Sequence, residues 1–403
     1  MFALYQIIIS ILLIFSPLIF FLRILKGKED KKRFKEKFCF PSKKRVSGNL
    51  IWFHGSSVGE FMSILPLVYQ LEKNQSIKQI LITSSTLSSA QIFKKFKFKK
   101  TVHQFFPIDS VFFSYKFVNY WKPTIAIFIE SEIWPSIFRV LTKKNIPLLL
   151  LNARVTKKTF NKWHYIKSFS NSVFKNISKA YPQNNETLNY LKKLNISRIK
   201  IIGNLKFTKN DQDKLITLDT IILKSFKKRK IWCASSTHPG EEIICSKVHL
   251  SLKKKYKNLL TIIIPRHTHR VDKIAQQIKD LKLNIVLHSS KPKKLKDTDI
   301  YLVDTYGETK KFYNAANVVF MGKSLTGKGG QNPLEPARQG ATILYGPNVD
   351  NFLDIYKLLD KLKITHKVNG ISSLTKLVGK LIIQPNSKKN YLKIEKIGKK
   401  ILK

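Results

Sequence analysis

Residues 51–61, IWFHGSSVGEF, set an apolar run against a short glycine-rich stretch that ends in Glu60. A carboxylate at the end of a strand, where a helix begins, has two uses. It takes a proton from a bound hydroxyl as a general base, or it favours the positive end of the helix dipole. Acids are scarce in this chain of 403 residues, which holds 74 Lys and Arg against 25 Asp and Glu. Val58, Phe61, Met62, Leu65 and Val68 recur at helical spacing, so the sequence predicts a helix from near Gly59, kinked or shortened at Pro66.

The same arrangement recurs along the chain. IFIESEIWPS (127–136) places Glu130 and Glu132 after an apolar run, either as site acids or as a helix cap or ion pair. LLNARVT (150–156) and IIGNLKF (201–207) follow, the second carrying Lys206. CASSTHPGEE (233–242) offers the hydroxyls of Ser235, Ser236 and Thr237. IIIPRHTHR (262–270) brings Arg266 and His267 behind another run, and arginine grips phosphate or carboxylate through two parallel N–H bonds. No Cys or Asp near His267 and His269 completes a ligand set, so no metal is expected there. VDTYGE (303–308) ends in Gly307 and Glu308. In MGKSLTGKGGQNPLEPA (321–337), Gly327, Gly329 and Gly330 precede a helix expected from Pro333, an arrangement suited to cradling a phosphate, with Glu335 placed for ribose hydroxyls. The Walker pattern is absent, so ATP hydrolysis is not indicated. Asp211-Gln212-Asp213 and Asp297-Thr298-Asp299 sit in lysine-rich polar stretches and read as surface.

These motifs need strands to hold them. Apolar runs at Leu50–Phe53, Ile80–Thr83, Ile125–Ile129, Pro147–Leu151 and Ile199–Ile202 alternate with helical patterns. A second series comprises Ile231–Ala234, Leu259–Ile264, Ile300–Val303, Val318–Met321 and Thr342–Leu344. Alternating strands and helices imply α/β domains with parallel sheets, which bind ligands beyond the carboxyl ends of their strands. The expected order is a membrane anchor over 1–25, one domain over 26–208 and a second over 209–403, with Lys209–Lys230 as the hinge region.

From Met1 to Leu22 no side chain is charged. As one helix this stretch spans roughly 33 Å, enough for the hydrocarbon core, and a kink at Ser16-Pro17 is tolerable. Eleven Lys and Arg against three acids between Arg23 and Arg45 predict that the bulk of the chain stays cytoplasmic behind a single-pass anchor; the alternative is a buried or interfacial helix, with the basic stretch on anionic headgroups. The formal net charge of +49 argues for an anionic partner, either nucleic acid or an acidic membrane surface, or else reflects compositional drift that still leaves a basic surface. Basic residues are spread along the chain without a nucleic-acid module, so the expected partner is anionic membrane lipid and not nucleic acid. Cys39, Cys233 and Cys245 form no framework and no CxxC, which fits a reducing compartment and argues against structural zinc.

Taken in order, HGSSVGE, ESEIWP, NARVT, GNLKF, STHPGEE, PRH, DTYGE and GGQNPLEP resemble the bacterial 3-deoxy-D-manno-octulosonic acid (Kdo) transferase family, over nearly the whole chain. The resemblance implies a GT-B fold, with two Rossmann-like doubly wound domains facing across a cleft and the last helix packing back on the first domain. It implies a lipid A precursor as acceptor on the N-terminal domain and CMP-Kdo as donor on the C-terminal one. Transfer would invert the anomeric centre, without metal or other cofactor, at the cytoplasmic face of the bacterial inner membrane. By the same resemblance Glu60 is the general base, and Glu130 and Lys206 stabilise the transition state. Arg266, His267, Gly307, Glu308, Thr309, Asn332, Pro333, Leu334 and Glu335 would contact CMP-Kdo. The chain departs from the usual pattern at Ser56, where alanine is commoner, at Lys323, where glycine is frequent, and at Gln331, where histidine is frequent. Gln331 keeps hydrogen-bonding capacity but cannot titrate.

Overall fold

Short runs rich in Ile, Leu, Val and aromatic residues form strands here because both faces of each sheet are covered, so no polar alternation is needed. The structure, a computed structural model, describes residues 1–208, 218–227, 229–292, 295–384 and 388–402. Strands β1 (Asn49–His54), β2 (Ile77–Ser84), β3 (Thr101–Phe105), β4 (Ile125–Ile129), β5 (Leu148–Ala153) and β6 (Lys179–Pro182) form a six-stranded sheet in the order β3-β2-β1-β4-β5-β6. Strands β7 (Lys230–Thr237), β8 (Leu259–Pro265), β9 (Ile285–Leu287), β10 (Ile300–Leu302), β11 (Val318–Met321), β12 (Thr342–Tyr345) and β13 (Thr365–Lys367) form a seven-stranded sheet in the order β13-β12-β11-β7-β8-β10-β9. Every strand pair is parallel. The chain divides into two compact units, Met1–Asn210 with Ile401–Lys403, and Asp211–Lys400.

Successive strand residues point to opposite faces of a sheet. In β1, Trp52 joins a core with Leu81, Phe128 and Leu150, while Phe53 joins the other with Ile80, Ile127 and Ile129. The order of the first sheet reverses between β1 and β4, and that of the second between β7 and β11. A crevice opens at such switch points beyond the strand ends. The loops after these four strands carry HGSSVGE, ESEIWP, STHPGEE and GKSLTGKGG.

Four strands escape the sequence reading: β3, β6, β9 and β13. They are the four sheet edges, where one side lacks a neighbour and a continuous apolar run is not required. Ile199–Ile202, expected as a strand, makes only a single bridge from Ile199 to Ala180 beyond the β6 edge. The helix Val58–Glu72 runs through Pro66. Burial of Ile64, Leu65, Pro66 and Val68 offsets the lost backbone bond, which costs about 3 kcal/mol.

The expected single N-terminal helix is instead two, Phe2–Ile14 and Ser16–Leu25, bent by 56°. Pro17, in the first turn of the second, supplies no N–H to the preceding turn. Among the described residues no single helix is long and apolar enough to cross a membrane; the bent pair passes by combined length and composition. The first helix is fastened to its own unit. Tyr5 Oη donates to Asp109 Oδ2 (2.7 Å), Gln6 Nε2 donates to Ser136 Oγ (2.8 Å), and Gln6 Oε1 accepts from the Val111 N–H (3.1 Å). Leu4, Ile7, Ile8, Ile11, Leu18 and Phe21 remain exposed.

Asp299, expected at the surface, is buried, ion-paired with Lys253 (2.5 Å) and bonded to His249 Nε2 (3.2 Å) just before β10. Its neighbours in sequence are polar, but the sheet covers it. Asp211 and Asp213 lie outside the described residues, as do 209–217 of the expected hinge and the expected boundary after 208. Ile401, which belongs to the first unit, packs against its core beside Gly203.

Candidate active site

Ser57 starts the helix Val58–Glu72 in extended conformation, and its Oγ accepts from the Glu60 N–H (3.3 Å). Glu60 Oε2 in return accepts from the Ser57 N–H (3.2 Å), closing a capping box. Glu60 therefore does serve the helix end, one of the two uses open from sequence. Its surroundings add the other. Burial, then the charges of Glu132 and Glu130, push its carboxyl up to about 7. A base with that proton affinity is matched to neutral pH. Gly55 keeps Glu60 close to β1, because a Cβ at Gly55 would sit 3.0 Å from Glu60 Cβ and 3.3 Å from Oε2.

Glu130 ends β4 in the left-handed backbone region (φ 57°), a conformation that disfavours a side chain and clusters at functional sites. It is buried and ion-paired with Lys206 (2.5 Å). Asn152, at the end of β5 and also left-handed (φ 53°), joins the two. Its Nδ2 lies 3.4 Å from Glu130 Oε1, and its Oδ1 accepts from the Leu205 N–H (3.0 Å) beside Lys206. The structure thus brings together Glu60, Glu130 and Lys206, and it explains the asparagine of NARVT, to which the sequence assigned no role.

Glu132 completes the group. Its Oε2 accepts from Ser56 Oγ (2.6 Å), Trp134 Nε1 (2.9 Å) and His54 Nε2 (3.1 Å). Burial raises the proton affinity of Glu132, but the bonds from His54, Ser56 and Trp134 outweigh it and hold the carboxyl below its usual range. His54 is fully buried, and burial lowers its own proton affinity. Neutral His54 must present Nε2–H to the carboxylate, which leaves Nδ1 to accept from Thr83 Oγ1 (3.0 Å). Ser56, the departure from alanine, supplies one of the three donors.

The second unit holds the remaining candidates. Arg266 and His267 are exposed just after β8, and the Arg266 N–H donates to Thr237 O (3.0 Å). Glu308 is occupied by Thr305 Oγ1 (2.6 Å) and Lys311 Nζ from its own segment and by His288 Nε2 (2.8 Å) from just after β9, and the Lys311 bond, then Thr305, hold its carboxyl down at about 2. Gly307 is left-handed (φ 86°), and Thr309 begins the helix Thr309–Tyr313. Asn332 Oδ1 accepts from the Leu334 N–H (3.1 Å), Pro333 precedes the helix Leu334–Arg338, and Glu335 points outward from its first turn. Gly329 and Gly330 are left-handed, and a Cβ at Gly329 would lie 2.4 Å from Asn351 Nδ2.

Two acids that the sequence passed over organise this unit. Glu241, buried, accepts from the N–H groups of His238 (2.9 Å), Lys323 (2.7 Å), Ser324 (3.0 Å) and Leu325 (3.0 Å), fixing the start of the glycine loop. Glu242 accepts from Thr237 Oγ1 (3.0 Å) and grips Arg270 through both oxygens (3.0 and 3.2 Å). Their signal was the GEE triplet itself, two adjacent acids in a basic chain. Lys323 is left-handed (φ 59°), which accounts for the glycine frequent at this place in the resembled family.

Comparison with known proteins agrees with the motif order. Residues 32–209 match the family model of 3-deoxy-D-manno-octulosonic-acid transferase (kdotransferase). The chain is 34% identical to 3-deoxy-D-manno-octulosonic acid transferase of Rickettsia bellii, covering 100% of this chain and 97% of the relative. It is 30% identical to the enzyme of that name from Haemophilus influenzae, covering 98% and 93%. Among solved structures it is similar to UDP-GlcNAc 2-epimerase from Neisseria meningitidis bound to UDP-GlcNAc, at a TM-score of 0.56 and 13% identity over 88% of this chain and 98% of that one. That likeness concerns the fold alone.

Proposed function

The chain belongs to the Kdo transferase family and is a glycosyltransferase, and we propose that it moves Kdo from CMP-Kdo to the lipid A precursor, lipid IVA, with inversion and with Glu60 as general base. The observation that carries this reading is the carboxylate trio at the β1/β4 switch point. Glu130 is paired with Lys206 and Glu132 with three donors, whereas Glu60 keeps a proton affinity near neutrality, at about 7.

A sugar hydroxyl is a weak nucleophile until its proton is taken. As the acceptor oxygen bonds to the anomeric carbon of Kdo, its proton passes to the Glu60 carboxylate. The bond from the anomeric carbon to the CMP phosphate oxygen breaks, and its electron pair leaves with CMP. Attack on the face opposite the leaving group inverts the centre. Glu130 and Lys206 stabilise the charge that develops during transfer. Arg266 and His267, with the segments Gly307–Thr309 and Asn332–Glu335, hold the donor nucleotide. The exposed apolar residues of the bent helix pair and the cations that follow them set the enzyme on the cytoplasmic face of the inner membrane, against anionic lipid.

Detergent-solubilised protein incubated with CMP-Kdo, lipid IVA and EDTA tests this. A mass increase of the lipid by one or more Kdo units, lost in Glu60→Ala, supports donor, acceptor, base and metal independence together. Transfer from a UDP-sugar but not from CMP-Kdo would overturn the donor assignment.

A further inference from the structure

The trio leaves Glu132 without a part in the reaction, yet it is the most elaborately held of the three. His54, Ser56 and Trp134 come from two different loops and a strand end to bond one of its oxygens. Behind His54 the chain of donors continues: Trp52 Nε1 donates to Thr83 Oγ1 (2.9 Å), and Thr83 Oγ1 faces His54 Nδ1. Phe106 stacks on the His54 ring at 3.8 Å between centroids, fixing its plane. The three direct donors favour the anion, and none of them contributes a formal positive charge while His54 is neutral.

Taking the function proposed above as its premise, we propose that Glu132 is a positioning residue, a fixed negative charge, set by His54, Ser56 and Trp134, that makes Glu60 an effective base. Among the described residues the elements around Glu60 carry few other charges; the loop after β5 adds Arg154, which is half-buried and whose N–H donates to Glu130 O (3.2 Å). The loop after β4 carries Glu130 and Glu132, and Glu130 is neutralised by Lys206 on the turn Leu205–Phe207. β1 contributes His54. The helix Leu87–Phe93 has no titratable residue, and β2 has only Lys78, at its opposite end beside Gly48. Among the described residues Glu132, unlike Glu130, has no Lys or Arg in an ion pair, and adjacent residues tie it to Glu60: Ser56 Oγ bonds Glu132 and the Ser57 N–H bonds Glu60. The charge of Glu132 ranks directly after burial among the causes that raise Glu60.

The test is the pH profile of kcat/KM for Kdo transfer. In the wild type the acid limb should lie near pH 7. Glu132→Gln should move it down by about one unit and reduce the plateau rate about 3- to 10-fold, because a weaker base accepts the proton less well. Glu132→Asp, which keeps the charge, should hold the limb near the wild-type position. Glutamine fits the pocket with its Oε1 in the place of Glu132 Oε2, where it accepts from the same three donors and His54 keeps its tautomer. Should that variant fail to fold, Glu132→Ala with added formate gives an independent route, and formate should return the limb toward 7. A Glu132→Gln limb that coincides with wild type, whatever the loss of rate, would reduce Glu132 to a structural residue and overturn the inference. A wild type that transfers no Kdo would overturn the function instead. In that case carboxyl 13C NMR, with Glu60→Gln for assignment, reads the same shift without substrate, and an unshifted Glu60 in Glu132→Gln would still overturn the inference.

Discussion

Two stretches begin alike and end differently. IWFHGSSVGE, from β1 into a helix, and IWCASSTHPGEE, from β7 into a helix, both carry a buried tryptophan strand, two serines and glycine-bounded acids at a switch point. In the second unit, every acid of the motif is answered by fixed donors: five backbone N–H groups for Glu241, a threonine and an arginine for Glu242. In the first, Glu60 has, among the described residues, its capping box and two acidic neighbours. A carboxylate whose lone pairs are all filled fixes a loop. One held at a single point among like charges keeps its affinity for a proton, and that is what a general base requires.

The comparison breaks most easily at Glu60. Glu60→Gln should lower the transfer rate about 10²- to 10⁴-fold while leaving the helix start intact, since glutamine also closes a capping box. Thermal melts give the sign. Protonated Glu60 suits the fold, so its contribution to stability is present below about 4.5 and lost as pH rises through 7. At pH 8 the neutral amide should therefore melt at or above the wild type. A joint collapse of activity and melting temperature would make Glu60 scaffold, like Glu241.

Glu242→Ala should show the opposite pattern. It strands the buried end of Arg270 and costs about 3–5 kcal/mol, read from denaturant midpoints. Any loss of activity should follow as weaker donor binding. Selective loss of kcat with stability unchanged would place the second unit's acids in the chemistry.

Asn152→Ala sharpens the contrast within the first unit. It removes the acceptor for the Leu205 N–H and should cost about 1–3 kcal/mol. Because it loosens the Lys206 turn and leaves Glu60 in place, kcat should fall with the acid limb still near 7. A shifted limb would tie Asn152 to Glu60 directly. The smallest effect belongs to Lys323→Gly, which should stabilise by about 1 kcal/mol by relieving the left-handed backbone. A melting temperature that drops would show that the Lys323 side chain itself contributes.

By itself the sequence determined a great deal of this protein. Interior strands were legible because burial on both faces writes them as continuous apolar runs, and β4 and β11 coincide with their runs to the residue. The edges β3, β6, β9 and β13 were not, because polar residues interrupt the apolar pattern: Lys179 is half-buried in β6, and His103 in β3 is buried but bonded to Ser84 and Arg33. The candidate acids Glu60 and Glu130 stood out as rare carboxylates beyond strand runs, and the motif order pointed to the family. Local spacing carries all of that. The sequence could not tell a filled carboxylate from an open one. Glu132 finds His54 and Ser56 across 78 and 76 residues, and Glu241 finds the Lys323 N–H across 82. It could not show that Asp299 is buried, or that the apolar N-terminus fastens to Asp109 across 104 residues. Proton affinity depends on which charges and donors surround a group in space, and only the tertiary structure decides who those neighbours are.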